Sequence, residues 1–141
     1  MKRELSGKAL ADRAAQAMAV PLQHALDVRY LDPADPTVGV VFPVSGLAGN
    51  GVGGLHGGAL AGVLELAAYL ALLPELGADE HAVTHATAAQ FVSPAQDGEQ
   101  VEVTGTLERR AGRVAFLSVT AAVGDRLVAV AQVTKSVVQA A

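Results

Sequence analysis

The stretch Asn50–Tyr69, NGVGGLHGGALAGVLELAAY, running on through Leu70-Ala71-Leu72-Leu73, decides the fold. Glycines crowd its first half, and from Ala59 to Leu73 the residues are nearly all apolar, with Glu65 the single charge. A helix that is apolar on every side is buried in a protein core or in a bilayer. At 1.5 Å per residue the run spans roughly 22 Å, short of the ~30 Å of a hydrocarbon core. The expectation is a buried core helix over residues 56–76, with no membrane involved.

Toward the N-terminus, Leu10, Ala14, Ala17 and Met18 recur at helical spacing among Lys8, Asp12, Arg13 and Gln16. This predicts an amphipathic helix within residues 1–21, stopped by Pro21. His24 to Leu31 and Thr37 to Val44 read as two strands joined across Asp32-Pro33-Ala34-Asp35-Pro36. Beyond Ala78 the pattern changes to period two. Val101, Val103, Gly105 and Leu107 alternate with polar residues, and Ala115, Leu117, Val119, Ala121 and Val123 form a second such set. Breaks at Pro94 to Gly98, Ala111-Gly112 and Gly124-Asp125 leave strands joined by tight turns. The order of helix, two strands, buried helix and four strands predicts one α+β domain over residues 1–141, a curved antiparallel sheet wrapped around one long helix.

Of the 141 residues, 51% are hydrophobic and 17% charged, against a usual ~25% charged. So few charges cover a monomer's surface poorly, and self-association is expected. A net charge of -4, with no basic run beyond Arg109-Arg110, argues against a general nucleic-acid binder. The absence of cysteine excludes disulfides, thiol nucleophiles, zinc ribbons and Cys-held clusters. Met1-Lys2-Arg3-Glu4 opens no apolar secretory core, and a cytoplasmic location is expected.

A carboxylate in an apolar helix is costly unless it pairs, binds something or changes its protonation. Glu65 is therefore the first candidate for chemistry; the competing reading is a solvated or hydrogen-bonded structural side chain. The helix start at His56-Gly57-Gly58 offers free N–H groups at the positive end of the helix dipole, suited to a carbonyl becoming an oxyanion. Gly57 and Glu65 are eight residues apart, roughly 12 Å along one helix. Both cannot reach one carbon from a single chain. Two such helices packed antiparallel about a two-fold axis would set Gly57 of one chain opposite Glu65 of the other, so the pair predicts a homodimer with composite sites.

Asn50, His56-Gly57-Gly58, Glu65, Thr84 and Phe91-Val92-Ser93-Pro94 together resemble the hotdog-fold acyl-CoA thioesterases of the phenylacetate-degradation and 4-hydroxybenzoyl-CoA types. In that family an Asn or Gln stands seven residues before the glycine that polarises the thioester, and an acid stands eight after it; Asn50, Gly57 and Glu65 match. The resemblance implies thioester hydrolysis without cofactor or metal. Gly57 N–H would hold the carbonyl, and Glu65 would attack it or activate a water. Asn50 would position the water or carboxylate, His56 would assist at the carbonyl or fix the loop, and Thr84 would contact water or acyl group. Gly58, Tyr69, Leu72 and Arg113 are candidate substrate contacts, Arg113 with Arg109 and Arg110 for the CoA phosphates. A homodimer or homotetramer is implied. Alternatives on the same fold are a non-catalytic acyl-CoA-binding or sensing protein and a dehydratase or hydratase. Gly49 to Gly54 has dinucleotide-loop spacing but no βαβ unit around it, and His81 and His85 lack further ligands, so neither a dinucleotide nor a metal is expected.

Overall fold

The computed structural model describes residues 4–140; the reading of Met1 to Arg3 lies outside them. The first helix, α1, covers Gly7–Met18, with Ser6 extended before it. Pro21 does not open a strand. Its ring suits the first turn of a helix, and Pro21–Ala25 form the short α2 behind Val20, which the following proline holds extended (φ -59°, ψ 138°). Asp27 then turns the chain at φ 56°. The strand expected over His24–Leu31 is thereby cut to β1, Arg29–Tyr30, paired with Val40 and Val41 of β2 (Val40–Pro43). The intervening turn is held by carboxylates that accept from nearby N–H groups, Asp32 from Ala34 and Asp35 from Thr37.

The central helix α3 covers Gly57–Leu72 and tightens into a 3-10 turn over Leu73–Glu75. Over these 19 residues it is long and apolar enough to cross a membrane by length and composition, so the length argument was too strict. Burial decides instead: Leu60, Val63, Leu64, Leu70 and Leu72 are packed in the core.

Four long strands follow: β3 Glu80–Phe91, β4 Gln100–Ala111, β5 Val114–Val123 and β6 Arg126–Gln139. The sheet order is β1-β2-β4-β5-β6-β3, antiparallel throughout. Bulges in β3, β4 and β6 increase the bend and twist that let a sheet curve round a helix. Val101 and Val103 of β4, and Ala115, Leu117, Val119 and Ala121 of β5, turn inward as the alternation predicts. Gly105 lets helix and sheet approach closely, since a Cβ there would lie 2.8 Å from the Ala67 carbonyl oxygen.

The far end of α3 is fastened by an ion pair. Glu80, 2% exposed, accepts from Arg110 at 2.9 Å and from the Gly77 N–H at 2.8 Å. Arg110 also donates to the Glu75 carbonyl. Removing one partner of a buried pair strands the other's charge, so Arg110→Ala is expected to cost about 3 kcal/mol. Urea unfolding at neutral pH reads this, and an unchanged midpoint would contradict it.

At the sheet's end, β3 hydrogen-bonds β6 on one side only. Beyond Glu80 its other edge carries no strand among the described residues, and Val83 is 51% exposed. Long, uncharged free edges invite pairing with another chain.

Candidate active site

Helix α3 opens with His56 as its N-cap. The His56 N–H donates to the Ala48 carbonyl at 2.8 Å, and its Nδ1 accepts from the Gly58 N–H at 2.9 Å. His56 is thus a cap that orients the helix start, and the Gly58 N–H, expected to face substrate, is already occupied. The Gly57 N–H is one of the orphan donors of the first turn and has no acceptor among the described residues. Gly57 faces a cavity of about 310 Å³ that Leu60, Phe91 and Pro94 also line. Phe91 is 57% exposed and lies against Gly57, 3.5 Å from where a Cβ would stand.

Two turns further along, Glu65 is half-buried and lines a larger cavity of about 560 Å³. Tyr69 and Gly62 share its helix face, Thr84 and Lys135 form the sheet side, and Ala17 and Leu22 come from α1 and α2. No hydrogen bond or ion pair holds the Glu65 carboxylate among the described residues. The two cavities share no lining residue. Within one chain, the donor and the carboxylate therefore serve different spaces.

The other candidates divide. Thr84 and Tyr69 join Glu65, and the Thr84 hydroxyl accepts from Lys135 Nζ at 2.8 Å. Asn50 lines neither cavity; its side-chain oxygen accepts from the N–H groups of Val52 (2.8 Å) and Gly54 (3.1 Å), bracing the glycine loop. Leu72, read as a substrate contact, is fully buried core. Arg113 is exposed at the β4–β5 turn, where it lines a third space with Glu80 and Arg110. Arg110 is bound to Glu80, which removes it from the candidates for CoA phosphates.

The sequence reading missed Lys135. The buried face of β6 runs Ala131, Val133, Lys135, Val137, so the same alternation that identified the strands places a lysine among core residues. Lys135 is 4% exposed, and its Nζ lies 5.9 Å from the Tyr69 ring centre. Burial holds its amine below the usual lysine range, and the nearby Glu65 charge pulls it back upward.

Residues 52–129 match the family model described as the thioesterase superfamily. The chain belongs to that superfamily. Its architecture is the hotdog fold, with the sheet wrapped around α3. Thioester hydrolysis is the chemistry of the family. A thioesterase from Haemophilus influenzae superposes with a TM-score of 0.82 at 18% identity, over 99% of this chain and 96% of its own. The E. coli PaaI protein from the phenylacetic acid degradation operon gives 0.80 at 19% identity, over 97% and 98%. The BH2602 protein from Bacillus halodurans, solved with CoA, gives 0.76 at 18% identity, over 92% and 83%. At these identities the likeness is one of fold. No curated protein matches the chain.

Proposed function

We propose that the chain hydrolyses an aryl or medium-chain acyl-CoA thioester to free acid and CoA, in a cytoplasmic homodimer whose sites combine Gly57 of one subunit with Glu65 of the other. One observation carries this reading: a Gly57 N–H and a Glu65 carboxylate that have no partner among the described residues open into separate cavities of one chain. The free edge of β3 supplies a way to join them. Phe91 packs on Gly57 and Thr84 lines the cavity of Glu65. An antiparallel β3–β3 register centred on an Ala88–Ala88 pair, with the β3 bulge between Thr84 and Ala86 taking up one residue, sets Phe91 of one subunit beside Thr84 of the other, and it carries each Gly57 toward the opposite Glu65.

In such a site the Gly57 N–H and the α3 dipole stabilise the oxyanion that forms as the thioester carbon is attacked. Glu65 either attacks that carbon itself or takes a proton from the attacking water. The C–S bond then breaks, and CoA leaves as thiolate and is protonated; where Glu65 has attacked, water then cleaves the mixed anhydride to release the free acid and restore the carboxylate. The structure of a CoA-bound relative on this fold supports the choice of thiol. Thiol release from a panel of aromatic and aliphatic acyl-CoAs tests the activity. Release from at least one supports it; binding of CoA with no release from any would make the protein a binder or sensor.

The β3 register makes its own prediction. Ala88 is exposed and lies on the proposed axis, so Ala88→Glu would set two like charges face to face, which destabilises a strand pair. Sedimentation should show a shift toward monomer, with thiol release falling in parallel. A variant that stays fully dimeric and active would rule out this edge as the interface.

A further inference from the structure

Building on the proposed hydrolase reading, we infer that the cavity beside Glu65 is a pocket for acyl groups with a second, terminal carboxylate, and that Lys135 is the residue that recognises it. Lys135 sits at the sheet side of the cavity, almost wholly buried, and an ammonium offers three donors. One is spent on the Thr84 hydroxyl at 2.8 Å, a neutral partner. No carboxylate lies within ion-pair distance of Lys135 among the described residues. A buried ammonium without an anion is costly, and Glu65, half-buried on the helix side, reaches it only through space.

The charge of the whole lining points the same way. Arg13 also lines this cavity, held by the carbonyls of Glu80 (2.7 Å) and Ala78 (3.2 Å) and lying 3.3 Å from His81 Nδ1. It too has no carboxylate at ion-pair distance among the described residues. The titratable groups on the lining are therefore two basic side chains, Arg13 and Lys135, and one carboxylate, Glu65, with His81 and Tyr69. Burial and the Arg13 charge both lower the His81 pKa, so His81 adds no charge at neutral pH. One positive charge is left unmatched. An acyl chain entering past Glu65 with a carboxylate at its far end would balance it, while the apolar walls from Ala17, Leu22 and Leu66 accept the methylenes between. About 560 Å³ is ample for such a chain.

The test compares each ω-carboxyacyl-CoA from succinyl to suberyl with the straight-chain acyl-CoA of the same carbon count, for wild type, Lys135→Met and Lys135→Gln. The readout is the ratio of kcat/KM within each pair. Wild type should favour the carboxylated member of at least one pair by about 10-fold to 100-fold, the worth of one charged hydrogen bond. That ratio should fall toward one in both variants. A wild-type ratio at or below one in every pair, or a ratio unchanged in the variants, overturns the proposal. If wild type cleaves none of these thioesters, the hydrolase reading fails separately, and calorimetric binding of the same pairs reads the pocket alone. Equal affinities within every pair would then overturn the carboxylate preference, and tighter binding of a carboxylated member that Lys135→Met abolishes would support it.

Discussion

Glu65→Gln is expected to lower kcat for thiol release by about 100-fold to 10,000-fold, the usual worth of a positioned general base. The amide keeps the shape of the carboxylate but can neither take a proton from water nor attack the thioester. Stability should barely change. Glu65 is half-buried and holds no hydrogen bond among the described residues, so the substitution resembles a surface change, within about 0.5 kcal/mol. A large loss of activity with an unmoved thermal midpoint is thus the expected pair of results. Full activity in Glu65→Gln would remove the carboxylate from the chemistry.

Much of the fold was legible because its signals are long. The buried helix could be read from an apolar run broken only by Glu65, and strands β4 and β5 from sustained alternation. The first hairpin was harder to read. Between Pro21 and Asp27 the local chemistry of a proline that starts a helical turn and a left-handed aspartate overrides a short, weak strand pattern. The site divides in a similar way. Glu65 stood out because it is one charge among apolar residues, and Gly57 because it begins that helix. Lys135 carries an equally anomalous charge on the face that Ala131, Val133 and Val137 share, but a strand carries polar residues at every second position, so one charge stands out less there than in an apolar helix. What Asn50, His56 and Gly58 do was illegible because it depends on hydrogen bonds. Asn50 braces its own loop and His56 caps Gly58, a division of partners that spacing alone does not fix.

The second large effect concerns Gly57. Gly57→Pro is a clean deletion of the proposed oxyanion donor. Proline is favoured at the first position of a helix, where the lost N–H has no partner in the helix, and the residue before it must be extended. His56 already is, at φ -75° and ψ 125°. The atoms nearest a Cβ at Gly57 belong to the Phe91 ring, at an ordinary 3.5 Å. The variant should therefore fold, dimerise and lose about 100-fold or more in kcat, as oxyanion donors do on removal.

Composite sites make these two losses complementary. Gly57→Pro and Glu65→Gln chains, each inactive alone, are mixed at equal concentration and allowed to exchange subunits. Half the dimers then pair one chain of each kind, and each mixed dimer carries one intact Gly57–Glu65 site and one doubly defective site. Thiol release should recover to about one quarter of wild type by this two-fold counting. Continued inactivity, with subunit exchange demonstrated by mass spectrometry of differently tagged chains, would contradict a site shared between subunits.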